Sequence, residues 1–323
     1  MLNPTCHIEI HDLETGKYIE FDFVNNIEID RSRKTLTTTC KFTLPRKYKC
    51  FDSDNGIYVD INTMIKRGAK VIVQLGYDPE IRTEFVGYVA RLGASTPLDV
   101  FCEDEMWQLK QNTFTKAFKK VHLRELIKLV YPGTAIVADL ELGSFIIKDQ
   151  STAQVLEALK KFGLQAYFNT DGLLIVDFAS STKNGIEEVV YDFQKNVIDS
   201  DLEYTRKDDI RIRCKGISKL PTGKKIEFYY GDKDGDLRTL NYVNLDQKAL
   251  EKIVKEEINK LKRDGFKNGF TAFGIPYCEP GYAAVLNDPE FPERNGSYLI
   301  EAVKTSFGVS GFRRNVILER RLA

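Results

Sequence analysis

The chain has 323 residues, 42% of them hydrophobic, with 22 glycines and 10 prolines, which suffices for about two domains with buried cores and excludes a fibre or a disordered segment. Its 47 basic and 47 acidic residues cancel, so the chain as a whole implies no strong electrostatic partner. The longest stretch without a charge runs only from Asn268 to Cys278, far short of the ~20 apolar residues of a membrane helix, and Met1 to Asp12 has no basic segment followed by an apolar one, so neither a membrane span nor a secretory signal is expected.

Up to Glu103 the apolar residues recur with period two between turn signals, the pattern of antiparallel β structure. Cys6-His7-Ile8-Glu9-Ile10 alternates as a strand, which puts His7 and His11 on its polar face. Leu36, Cys40, Phe42 and Leu44 share one face of a strand whose other face holds Thr35, Thr37, Thr39, Lys41 and Thr43. Further strands are expected at Lys70 to Tyr77, Thr83 to Leu92 and Leu98 to Glu103, joined by Tyr77-Asp78-Pro79-Glu80 and by Gly93-Ala94-Ser95-Thr96-Pro97. One face wet and one buried is the pattern of a barrel or half-exposed sheet.

After Trp107 the period changes. Leu123, Leu126, Ile127 and Val130 predict a helix over His122 to Tyr131 that stops at Pro132-Gly133. A second helix is capped by Ser151, with Gln154 completing a capping box, buries Val155, Leu156, Leu159 and Phe162, and ends at Gly163. Gln165 to Phe178 reads as a hairpin around Asn169-Thr170-Asp171-Gly172, and Ser180 to Gly185 reads as a linker. From Glu188 period two returns: Ile210, Ile212 and Cys214 oppose Arg211, Arg213 and Lys215, and Gly231 to Gly235 predicts a hairpin turn. A third helix runs from an Asp246 cap to Asp264-Gly265 and buries Leu250, Ile253, Val254, Ile258 and Leu261. The chain closes on a hairpin, Ser297 to Phe307 with Phe312 to Arg321, that echoes Phe85 to Glu103 in length and alternation.

The expected fold class is therefore mainly β with an α/β insertion. Residues 1–111 form a first antiparallel β-barrel, 112–180 an inserted α/β domain, 181–220 together with 285–323 a second β-barrel, and 221–284 a hairpin and helix insertion.

Little chemistry is expected. There is no glycine-rich phosphate loop, nucleophile elbow or pair of metal-ligating histidines. Asp232, Asp234 and Asp236 lack the twelfth-position carboxylate of a calcium loop, and Asp52 to Gly56 reads as a turn. Six scattered cysteines, Cys6, Cys40, Cys50, Cys102, Cys214 and Cys278, read as buried free thiols. No cofactor, metal or disulfide is expected. Glu103 and Glu105 could act as an acid/base pair in a glycoside hydrolase, but Glu103-Asp104-Glu105 stands where a strand gives way to Met106-Trp107-Gln108-Leu109, where acids cap backbone N–H groups. Arg211, Arg213 and Lys215 line one side of one strand as a surface for a channel or an interface, and Arg313, Arg314, Arg320 and Arg321 add charge at the end. Interleaved Glu319 and the want of a stacking platform argue against specific nucleic-acid binding.

Two stretches carry a resemblance. The first is Glu84-Phe85-Val86-Gly87-Tyr88-Val89 through Pro97-Leu98 to Cys102-Glu103-Asp104, Trp107 and Leu109-Lys110. The second is Asp288-Pro289 and Phe291 to Tyr298, then Val303 and Ser306 to Arg314. Together they resemble the phage late control gene D proteins, baseplate hubs of contractile tails, and the N-terminal hub portion of VgrG in type VI secretion. The resemblance covers nearly the whole chain, Asn112 to Phe178 matching the family's inserted domain. It implies two tail-tube-like barrels per chain and a homotrimer whose six barrels ring a channel, adapting a hexameric tail tube to a trimeric spike. Its members are structural, with tail tube, spike and tape measure proteins as partners, assembled in the bacterial cytoplasm into a virion tail or injection particle. Ending at Ala323 leaves no room for the spike that follows the hub in VgrG, so a separate spike protein is expected, and no wall-digesting insertion is read. The rivals are a β-rich carbohydrate-active enzyme using Glu103 and Glu105, and a nucleic-acid-binding module whose affinity would fall steeply with salt.

Overall fold

A computed structural model describes residues 3–52, 55–179, 181 and 186–322. The chain is mainly β, and most of its period-two segments join into one 15-stranded sheet. From one end the sheet runs through Val197–Ser200, Gly269–Phe273, Gly311–Arg321 and Gly296–Gly308. It continues through Asn26–Ser32, Thr39–Leu44, Leu98–Glu103, Glu80–Leu92 and Lys70–Tyr77 to Pro4–His11 and Tyr18–Phe21. The two β halves thus share a seam, where Gly296–Gly308 lies antiparallel to Asn26–Ser32 with Lys304 opposite Asp30 and Ser306 opposite Glu28.

Each half rolls around its own core. Ile8, Ile10, Ile27, Ile29, Phe42, Val71, Val73 and Val100 fill the first. Tyr191, Phe270, Leu286, Tyr298, Ile300, Val303 and Val316 fill the second. The second half reaches across: Phe312, on its terminal strand, is buried in the first core, and Phe307 packs against that core.

A third core belongs to an α/β lobe. Leu123–Val130 is helical and buries the four residues its spacing predicts. Thr152–Ala158 begins at the capping box of Ser151 and Gln154, continues as a 3₁₀ turn through Phe162, and ends on Gly163 in the left-handed conformation, φ 77°. Gln247–Leu261 is capped by Asp246, whose carboxylate accepts from the Ala249 N–H, and buries Leu250, Ile253, Val254 and Ile258. Strands from 113 to 178 form small sheets of their own and add none to the large one.

Four expectations need correction. Ile212–Lys219, expected in the second barrel, lies between Lys225–Gly231 and Asp236–Val243 in a separate three-stranded sheet. Its inward residues, Ile212 and Cys214, join the core that holds Leu123 to Phe178, and Tyr242 stacks on Phe162 at 5.5 Å. Two distant stretches therefore build one lobe, because a three-stranded sheet with one helix cannot cover its apolar face alone. Gly231 to Gly235 joins no hairpin; it passes over the end of Ile212–Lys219, so that its flanking strands lie on opposite sides of that strand, one antiparallel and one parallel. Gly265–Lys267 and Gly269–Phe273, expected in the insertion, pair with the terminal strand of the large sheet. Leu36 precedes the strand Thr39–Leu44 and packs on the lobe instead of the barrel. The expected linker lies outside the described residues except Ser181, as do Ser53 and Asp54 of the first acidic turn.

Candidate functional site

Alternation puts Ile27 and Ile29 into the first core and turns Glu28 and Asp30 outward; the same rule turns out Lys41, Phe101, Lys304, Ser306 and Arg313. Because the strands are in register, these residues form rows that cross the seam. One row reads Phe273, Arg313, Ser306, Glu28, Lys41, Phe101, Arg91, each opposite the next. The second reads Thr271, Asn315, Lys304, Asp30, Thr39, Glu103, Tyr88. A groove of about 1010 Å³ lies over both rows and is walled on one side by Trp107, Lys110 and Gln111 at the entry to the lobe.

The groove is electropositive. Six cations line it against the three carboxylates of Glu28, Asp30 and Glu103. Lys304 meets Asp30 at 3.7 Å, Lys41 meets Asp99 at 3.3 Å and Lys110 meets Glu103 at 2.6 Å. Arg67, Arg91 and Arg313 have no carboxylate partner among the described residues. Two of them lie over aromatic rings, Arg91 at 3.8 Å from the centre of Phe101 and Arg313 at 5.0 Å from Phe273. Trp107 stacks on Tyr88 at 5.6 Å. Periodicity marks Glu28, Asp30, Lys41, Phe101, Lys304 and Arg313 as outward, a bulge after Val89 turns Arg91 out, and only strand order shows that residues 28, 101 and 313 share a face.

Behind the seam lies a buried ion pair that sequence reasoning missed. Arg314 and Glu84 are 1% and 0% exposed. The guanidinium donates from Nη1 and Nη2 to the two carboxylate oxygens at 2.9 and 2.5 Å, from Nη1 to Thr305 Oγ1 at 3.1 Å, and from Nε to the Gly274 carbonyl at 2.7 Å. Arg31 donates to the Glu84 carbonyl. The carboxylate holds the Arg314 guanidinium protonated well above its ordinary value against the opposing effect of burial. Glu84 belongs to the first half and Arg314 to the second, so the pair ties the halves together.

Arg211, Arg213 and Lys215 lie away from the groove, on the outer side of the lobe's three-stranded sheet. Arg213 stands 4.9 Å from the Tyr229 ring, and Lys215 lies 5.1 Å from that ring and 2.9 Å from Glu227. Hydrogen bonds with Tyr229 and Glu227 raise the Lys215 ammonium above its ordinary value. Glu103 faces the groove, while Glu105 begins the short helix Met106–Leu109. Asp232 is tied to Lys262 at 2.6 Å and accepts from the Ile212 N–H. No cluster of His, Cys, Asp or Glu among the described residues has a metal-binding arrangement. Cys6, Cys40, Cys102, Cys214 and Cys278 are buried free thiols; the Cys50 side chain is outside the described set.

Asp104, between the two glutamates, is 5% exposed and accepts from the N–H groups of Thr38 and Met106 at 2.8 and 3.0 Å. Burial outweighs these bonds and pushes its carboxyl up from 3.8 to about 6. Between these values the folded chain holds a proton that the unfolded chain releases, so stability falls as pH rises through this window, by roughly 3 kcal/mol at most. Urea unfolding of the wild type and of Asp104→Asn across this range checks the sign; parallel profiles would refute it.

No protein-family model matches the chain, and no curated protein does. Solved structures do. The 43 kDa tail protein of prophage MuSo2 from Shewanella oneidensis superposes with a TM-score of 0.63 at 18% identity, over 98% of each chain. The tail protein of Neisseria meningitidis MC58 gives 0.64 at 15%, over 98% of this chain and 96% of its own. An E. coli component of the type VI secretion system, described as similar to the T4 tail proteins gp27 and gp5, gives 0.58 at 10%, over 93% of this chain and 76% of its own. The chain has the fold of these tail proteins.

Proposed function

We propose that the chain is a structural hub of a phage tail or phage-like contractile injection system, three copies of which close a ring between the tail tube and a separate spike. The observation that carries this reading is the seam: one sheet runs through both halves and presents a single polar face across them. A ring subunit that counts as two needs such a face to line a channel without a break. Contact between the first half of one copy and the second half of the next is heterologous, and it closes when the rotation per copy is a third of a turn. Near-complete overlap with two tail proteins, one of them from a prophage, supports the phage setting, and the E. coli likeness makes a type VI hub the second reading. Spike, tail tube and tape measure proteins are the partners this reading assigns, with assembly in the bacterial cytoplasm and a place in the virion tail or injection particle. No catalysis is assigned to it, because Glu103 is tied to Lys110 and buried Asp104 caps backbone N–H groups between the two glutamates.

Light scattering of the purified chain should give three times 36.9 kDa, and its mixture with tube and spike proteins should give a complex that holds three copies of the chain. A chain that stays monomeric in all these mixtures refutes the hub. Glu103→Gln with Glu105→Gln should leave the ring mass unchanged.

A further inference from the structure

Two surfaces outside the groove are exposed, apolar at their centre and opposite in charge. The first is the outer face of the lobe's three-stranded sheet, whose inner face packs on Gln247–Leu261. Leu237 is 58% and Val243 56% exposed there, beside Tyr229, and the basic groups are Arg213, Lys215, Lys219 and Lys225, of which Glu227 neutralises Lys215. The second is the end strand of the large sheet, Tyr18–Phe21, whose backbone is paired on one side only. Leu13 is 59% and Tyr18 58% exposed there, and Phe23, beyond the other end of the strand, is 43% exposed. Around them stand Glu14, Glu20 and Asp22, the first and last with side chains about four-fifths exposed; Lys66 pairs with Glu14 at 3.1 Å and His7 with Asp22 at 2.6 Å, while Glu20 has no cationic partner among the described residues.

Like charge keeps either surface from pairing with its own copy across a two-fold axis, whereas the two unlike surfaces complement each other in sign and both offer apolar residues to bury. A free strand edge at the acidic surface adds backbone donors and acceptors that seek partners. We infer that the acidic end strand of one copy docks on the basic lobe sheet of the next, so that the occupant of both surfaces is a second copy of this chain. This head-to-tail contact rests on the ring proposed above and names one of its interfaces.

The test is a charge exchange in the full chain. Arg213→Glu with Lys219→Glu should weaken self-association by about a hundredfold, and Glu20→Lys with Asp22→Lys should do the same. All four together should restore the trimer. Light scattering reads the mass, circular dichroism confirms that each variant is folded, and added salt should weaken the wild-type contact. Leu237→Glu, which adds a charge to the apolar centre of the basic face, gives an independent loss. A wild-type trimer that persists unchanged in every variant overturns this interface and leaves the ring standing. Folded variants that lose the trimer on each side and fail to regain it in combination also overturn the pairing. A wild type that never self-associates, with or without its tube and spike, overturns both.

Discussion

Glu84→Gln is expected to destabilise the chain by about 3–5 kcal/mol, because it leaves the Arg314 guanidinium buried without its counter-charge. Arg314→Met should cost a similar amount by stranding Glu84 in the same place. Both groups are all but inaccessible, so neither charge can turn to water. Glu84→Leu combined with Arg314→Met should recover most of the loss, since an apolar pair of similar volume needs no compensation in a dry site. Urea midpoints for Glu84→Leu, Arg314→Met and the double supply the cycle. If the singles match the wild type, the halves are not held by this pair. A second readout follows from its position: limited proteolysis should cut the single variants near the seam before either core unfolds.

Phe312→Ala should cost about 3–5 kcal/mol, the range for emptying a buried aromatic site. Phe312 is 1% exposed, lies 5.7 Å from Tyr77 and 6.2 Å from Phe307, and its carbonyl accepts from the Tyr77 hydroxyl at 3.2 Å and from the Gly274 N–H at 2.9 Å. It comes from the second half yet fills the first core, so its loss weakens the joint as well as the packing. Gly274 explains why the ring fits: a Cβ there would lie 2.1 Å from it. Gly274→Ala should therefore be severe alone and much milder on top of Phe312→Ala, where the methyl enters the vacated space. Independent, additive losses in thermal unfolding would contradict this contact.

Much of the architecture was legible because it depends on period and local chemistry. Apolar residues four apart mark Leu123–Val130, a capping box marks the start at Ser151, and an aspartate cap marks Gln247–Leu261. Alternation marks the terminal hairpin, found at Gly296–Gly308 and Gly311–Arg321. Each signal is carried within one element, where neighbouring side chains feel the same backbone geometry. The same alternation assigned Ile212–Lys219 to the wrong sheet, since Ile212 and Cys214 alternate identically whether they face the barrel core or the helix at Leu250 and Val254.

Sequence by itself determined the mainly β class, the three helices with their main buried residues, and, where alternation is unbroken, which strand side chains point outward. Which outward side chains meet was decided by strand order alone: Arg313 and Arg91 share a groove because five pairings connect their strands. The burial of Arg314 against Glu84, 230 residues away, was likewise a tertiary decision. An arginine and a glutamate look solvated to any local reading, and only the close approach of two sheet halves gives them a dry site in which each becomes the other's necessary partner.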